Sequence, residues 1–273
     1  MRTTLCALTV CCLAGAAAAQ EKRAEFEVAS VKPNTSGNML VMIRPPVGGR
    51  FTATNARLKM LLGIAYNVKG FEISGGPGWA DSEGFDIEAK ATDSGISLDD
   101  MRPMLQSLLA DRFQLKVHRE TKEVPIYALV AAKNGLKVPA AKEGGCTEFK
   151  PGDKLPPPPS GRGSGGLPPT PCGGFFMSPN HLEGGKISMM QLVNALSNIL
   201  GQPVADKTGF NGTFDVSLDF SPEGTALFRG AQADDSRPSI FTALQDKLGL
   251  KLESQKGPEQ ILIIDHAEKP TEN

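Results

Sequence analysis

Arg237-Pro238-Ser239-Ile240-Phe241-Thr242-Ala243-Leu244-Gln245-Asp246-Lys247-Leu248-Gly249-Leu250-Lys251-Leu252, followed by Gln260-Ile261-Leu262-Ile263-Ile264, is a stretch whose pattern occurs twice in the chain. It stands 135 positions earlier as Arg102-Pro103-Met104-Leu105-Gln106-Ser107-Leu108-Leu109-Ala110-Asp111-Arg112-Phe113-Gln114-Leu115-Lys116-Val117, and the same offset carries Ile126 onto Ile261. Each copy begins with apolar residues at helical spacing, Ile240, Ala243, Leu244 and Leu248 in one, Leu105, Leu108, Leu109 and Phe113 in the other. A period near 3.6 then gives way to a period of two, which predicts a helix followed by two short strands. A pattern that recurs at a fixed offset has to be read as a repeat before anything else. The fold class expected is α+β: an internal duplication with helices packed on mixed sheets.

Working outward, the segments before each copy also answer one another. Gly184-Gly185-Lys186-Ile187-Ser188 matches Gly48-Gly49-Arg50-Phe51-Thr52, and Phe214-Asp215-Val216-Ser217-Leu218 matches Phe85-Asp86-Ile87-Glu88-Ala89. Between them a helix with Leu192, Ala195, Leu196 and Ile199 matches one with Leu58, Leu61, Leu62 and Ala65. Each half is therefore expected to run strand, helix, strand, strand, helix, strand, strand. Phe26 to Asn34 and Met39 to Ile43 alternate as further strands in the first half. Buried leucines contribute roughly 1.5–3 kcal/mol each, so these helix faces must lie against a sheet. From Gly144 onward the composition changes to a tract containing Pro156-Pro157-Pro158-Pro159 and Gly161-Arg162-Gly163-Ser164-Gly165-Gly166. It carries too little apolar surface to order itself and reads as a linker. The expected organisation is residues 20–143 as the first unit, 144–184 as linker and 185–273 as the second unit.

Residues 1–19 combine Arg2, an apolar run from Leu5 and a small-residue end at Ala16-Ala17-Ala18-Ala19, which is the pattern of a secretory signal. The run is too short to span a membrane, and the remainder has no apolar run near the roughly 20 residues a span needs. Loss of Arg2 with the signal takes Lys plus Arg from 29 to 28 against 30 Asp plus Glu, a net charge of −2. Such a balance gives no basic field for nucleic acid. The mature chain keeps two cysteines, Cys146 and Cys172, and in an oxidising compartment an even pair is expected to bond. The expected location is secreted or periplasmic.

The residues from Lys186 to Asp265 resemble the short N-terminal domain of secretins and signal-transducing TonB-dependent receptors. The likeness rests on Leu192-Val193-Asn194-Ala195-Leu196, Ala243-Leu244 and Leu248-Gly249-Leu250. Over nearly all of the mature chain, Phe26 to Asn34, Gly75-Gly76-Pro77-Gly78-Trp79, Asp111-Arg112-Phe113, Asp206-Lys207-Thr208-Gly209 and Ile264 to Asn273 resemble a secreted family of soil bacteria of uncharacterised function. Some members of that family are joined to membrane metallopeptidase domains similar to those of penicillin-sensing regulators; this chain carries no His-Glu-x-x-His. The first resemblance implies a periplasmic contact module, and the second carries no established activity with it.

Candidate chemistry is sparse. His118, His181 and His266 lack metal-ligand spacing, no Gly-x-Ser-x-Gly occurs, and the glycine tract neither follows an apolar strand nor opens a helix. Asp99-Asp100 and Asp234-Asp235 precede helices, where carboxylates satisfy free N–H groups. No catalytic residue, cofactor or metal site is assigned. Trp79, the one tryptophan, lies in a glycine-rich loop with Tyr66 in the segment before it. It reads either as a binding anchor or as a lid folded over the helix. The terminal strand with Ile263 reads either as an open edge suited to strand addition or as an interior strand. The function expected is a non-enzymatic extracytoplasmic interaction or sensing module with an envelope or extracellular protein as partner. The alternative is a hydrolase acting on envelope or extracellular polymers.

Overall fold

Phe85-Asp86-Ile87 and Phe214-Asp215-Val216 each put two apolar side chains on one face of a strand and a carboxylate on the other. The computed structural model describes residues 23–37, 40–144, 146–148, 170–227 and 236–270. In it these segments belong to β5 (Gly84–Lys90) and β10 (Thr213–Asp219), with Phe85, Ile87, Ala89, Phe214, Val216 and Leu218 buried. β5 pairs antiparallel with β3 (Arg50–Arg57), and β10 with β8 (His181–Ser188). Ala53 faces Ile87 and Ala56 faces Phe85; in the other half Gly184 faces Val216 and Ile187 faces Phe214. Between those pairs each inner strand holds one extra residue, a bulge. There Asn55 and Lys186 take φ of 52° and 48°. Asp86 Oδ1 accepts the Asn55 N–H and Asp215 Oδ1 accepts the Lys186 N–H, both at 2.9 Å. The aspartate between the apolar residues thus holds the bulge.

This register corrects one expected match. Gly48-Gly49 form the turn between β2 (Met42–Val47) and β3, both at positive φ. Gly184 and Gly185 instead lie inside β8, and the corresponding turn is Pro179-Asn180, between β7 (Phe175–Ser178) and β8. The expected linker is corrected with it. Phe175–Ser178 and residues 181–184 are strand, because they pair as a hairpin whose second arm lies on β10. Cys146 and Cys172 are bonded, S–S 2.03 Å and Cα–Cα 5.0 Å, beside bridges that join Thr147 to Pro171 and Cys172 to Gly185.

Leu58 and Met189 follow the inner strands directly as the first residues of α1 (Leu58–Tyr66) and α3 (Met189–Leu200). Ser188 and Gln191 form a reciprocal cap that starts α3, and Gly201 at φ 67° ends it. α2 (Leu98–Arg112) begins at Ser97, whose hydroxyl accepts the Asp100 N–H, and α4 (Ile240–Leu248) begins at Ser239 and stops at Gly249. Asp99 and Asp100 lie in the first turn of α2; Asp234 and Asp235, like the signal-like residues 1–19, lie outside the described residues.

The two short strands expected after each long-offset helix are a single strand in both halves, β6 (Lys116–Ala131) and β11 (Leu250–His266). They pair with one another from Leu250 opposite Ala131 to His266 opposite Lys116. β4 (Ile73–Gly75) runs parallel to Leu262–Ile264, and β9 (Val204–Asp206) runs parallel to Tyr127–Leu129, giving the order β4-β11-β6-β9. Tyr127 and Leu129 stand 135 positions before Leu262 and Ile264, so each long strand receives the other half's short strand at the same place. The cores are shared accordingly. Leu262 and Ile264 pack with Phe51, Phe85, Leu109 and Phe113; Leu129 packs with Leu196, Phe214 and Leu244. Residues 118–125 are largely exposed because neither core covers the middle of the ribbon, which is why the apolar pattern breaks there and reads as two strands.

The outer sheets differ at one edge. The first half has the order β1-β5-β3-β2, where β1 (Val28–Pro33) covers β5; the second, among the described residues, has the order β10-β8-β7. No helix among the described residues is long and apolar enough to cross a membrane.

Candidate functional site

Trp79 sits in a 3-10 turn, Gly78–Asp81, tied down by an ion pair from Lys59 to Asp81 at 2.6 Å. Its ring stacks on Phe113 at 6.2 Å and meets Phe85 edge-on at 6.0 Å, while Phe85 and Phe113 lie 5.0 Å apart. Three aromatic rings in mutual contact are a packing unit. Trp79 is half-buried and serves as a lid on the first core. Tyr66 ends α1 and packs on that same core, and burial raises its hydroxyl above the usual tyrosine range. Its carbonyl accepts a hydrogen bond from Arg119 Nη2 at 3.2 Å. Ile263 is not at an edge. It lies between His118 of β6 and Ser74 of β4, so its strand is paired on both sides, and the expectation of strand addition there is corrected.

A wide opening lies elsewhere, where the two halves meet. The first half makes a longer connection from α1 to its short strand, with a 3-10 turn at Gly70–Glu72, whereas α3 reaches β9 through three residues. That extra turn carries Val68, Lys69 and Phe71 against Met177, Asn198 and Leu227, around an open cleft of about 740 Å³. Met177 and Leu227 are 38% and 48% exposed, high for large apolar residues at a position between two cores. Lys69 Nζ donates to Asn194 Oδ1 at 3.3 Å and stands 5.7 Å from the Phe71 ring centroid. Burial pulls the Lys69 ammonium below the usual lysine range, with Glu72 and Glu259 opposing the shift. Burial also pushes the Glu259 carboxyl up, and Glu72 adds to it. The cleft therefore presents an apolar wall with one partly desolvated cation, an arrangement suited to binding. Its walls come from segments more than one hundred residues apart, Lys69 and Asn198 among them, so no local motif signals it.

The histidines lie apart, each beside its own carboxylates. His118 Nδ1 lies 2.9 Å from both carboxylate oxygens of Asp265. His181 lies 2.9 Å from Asp219 and 3.4 Å from Glu183, and His266 lies 3.0 Å from Glu268. Asp265 pairs across the ribbon with His118 rather than with its neighbour His266. Among the described residues, no hydroxyl is hydrogen-bonded to these rings and no three His, Cys, Asp or Glu side chains converge as a metal site would require.

Residues 59–267 match the family described as a protein of unknown function (DUF3738), and the chain belongs to that family. No curated protein and no solved structure matches it.

Proposed function

We propose that the protein is a non-enzymatic interaction or sensing module that works outside the cytoplasm, secreted or in the periplasm, and binds an envelope or extracellular protein. The observation that carries this reading is the cleft between the halves, where Met177 and Leu227 remain exposed beside Phe71 and Lys69. Apolar side chains left in the open around a few polar groups favour association with another molecule. The Cys146–Cys172 bond supports an oxidising compartment, as does the signal-like pattern at residues 1–19. The likeness of each half to the short domain of secretins and TonB-dependent receptors supports a contact role, and the resemblance to secreted proteins of soil bacteria supports an extracytoplasmic one. The common register of the halves supports an origin by duplication.

The test is capture from envelope extract by wild type, by Met177→Glu in the cleft and by Val47→Glu, an exposed apolar position on another strand. The expected result is a defined protein retained by wild type and Val47→Glu and lost with Met177→Glu. Turnover of an envelope polymer by wild type, with nothing captured, would replace this reading with that of a hydrolase.

A further inference from the structure

β5 and β10 are corresponding strands with different neighbours. On β5 the groups facing outward are those of Gly84, Asp86, Glu88 and Lys90, since Asn34 N–H donates to Gly84 O and Glu27 N–H to Lys90 O. β1 takes that edge from Pro33 opposite Phe85 to Val28 opposite Lys90. The corresponding outward groups on β10 belong to Asp215, Ser217 and Asp219, and consistently Phe220 N–H turns the other way, to Asn180 O. Here the segment after β6 makes one bridge, Ala140 to Phe214. Before that bridge the Lys137 N–H donates to Leu248 O at the end of α4 and Val138 packs on the second core; after it the Lys142 N–H donates to Asp215 Oδ2 at 2.8 Å. Among the described residues nothing pairs with Ser217 or Asp219 along that edge.

Beside the open edge is a cleft of about 380 Å³ lined by Pro139, Val216, Ser217, Lys247 and Leu248. Of its two basic residues, Lys142 and Lys247, the second matches one with a known task. Arg112, at the end of α2, donates from Nη2 to the carbonyl of Ala29 on β1 at 3.4 Å. Lys247 occupies the same place at the end of α4, 135 positions later, and is exposed. Ala29 lies opposite Ala89, and the position matching Ala89 is Leu218.

We propose that the edge at Ser217–Asp219 is a second binding site, separate from the cleft between the halves. It accepts an extended segment of a partner protein, antiparallel to β10, as β1 is to β5. The segment pairs its backbone with Ser217 and Asp219, sets a small apolar side chain opposite Leu218, and offers that residue's carbonyl to Lys247. Strand addition of this kind takes affinity from main-chain pairing and selectivity from alternate side chains. The first half specifies the occupant: the Val-Ala-Ser-Val pattern of β1 fits the same geometry.

The experiment adds a synthetic peptide copying residues 26–33 to the isotopically labelled full chain and follows backbone amide shifts. The expected result is saturable binding below about 2 mM, with shifts centred on Ser217 and Asp219. Lys247→Ala should weaken it about threefold to tenfold, as loss of one charged hydrogen bond near solvent does. A peptide with proline in place of Ser30 should not bind. Absence of shifts at Ser217 and Asp219 up to that concentration would overturn the proposal, as would shifts at Glu88 and Lys90, which mean exchange with β1. Shifts confined to Val68–Phe71 would overturn it while leaving the cleft reading intact. Dimerisation of the unliganded chain through β10 would overturn it in favour of a second copy as the occupant.

Discussion

The two outer sheets share every inner pairing and differ in what closes them. β3 on β5 and β8 on β10 have the same bulge, the same aspartate beneath it and the same buried face. β1 then completes the first sheet, while Ala140 makes a single bridge to the second. What the cores need is therefore the same in both halves, and the differences gather at the periphery. The disulfide, the longer α3 and the open edge belong to the second half; the Trp79 lid and the extra turn at Gly70–Glu72 belong to the first.

The largest effects should be equal in the two halves. Leu109 and Leu244 are both fully buried, one on α2 and one on α4. Truncation of either to alanine should cost about 2–5 kcal/mol through lost burial and the cavity left behind. Because β6 and β11 serve both cores, each variant should lower a single unfolding transition in denaturant. Two separate transitions, or an effect from one substitution alone, would break the correspondence.

The next effect should be unequal. The Cys146–Cys172 bond closes a loop with a sequence separation of 26, so replacing both cysteines by alanine should cost about 3 kcal/mol. Non-reducing peptide mapping should first find both cysteines protected from alkylation in the wild type. Hydrogen exchange in the double variant should then show added opening near Gly185 and β8 before it reaches β3.

The bulges give a smaller, opposite-signed pair. Asparagine tolerates positive φ better than lysine, and Asn55 and Lys186 occupy equivalent places. Lys186→Asn should stabilise and Asn55→Lys destabilise, each by about 1 kcal/mol in thermal or denaturant unfolding. The same sign for both would mean that the two bulges are held differently.

The smallest effect concerns Glu259. Its folded carboxyl is shifted up, so ionisation costs stability as pH rises through the unfolded carboxylate range. Glu259→Gln should be more stable than wild type at neutral pH by less than about 1 kcal/mol, given its partial exposure, and equal to it in acid. A gain that persists in acid would point to packing rather than charge.

The inner architecture was legible because alternation and helical spacing report burial directly, as at Phe85 and Phe214 or Leu109 and Leu244. Pairing between distant short strands was not. Three residues such as Ile73–Gly75 carry too little pattern to reveal that they lie beside Leu262. The four apolar residues Ile261–Ile264 suit an edge or an interior equally, and only the neighbours decide. Glycines misled the alignment of β8, since Gly48-Gly49 make a turn and Gly184 leaves room for the Phe175 ring, 2.9 Å from where its Cβ would stand. The cleft at Lys69 and the edge at Ser217 depend on contacts between halves, which no single stretch records.

Native-state amide exchange at four positions tests the central comparison most directly. Glu88 and Lys90 face β1, and Ser217 and Asp219 face a place where no strand of the described residues lies. The account predicts slow exchange for the first two and fast exchange, close to that of an unprotected chain, for Ser217 and Asp219. Equal protection at all four would contradict it, because the second edge would then already be filled.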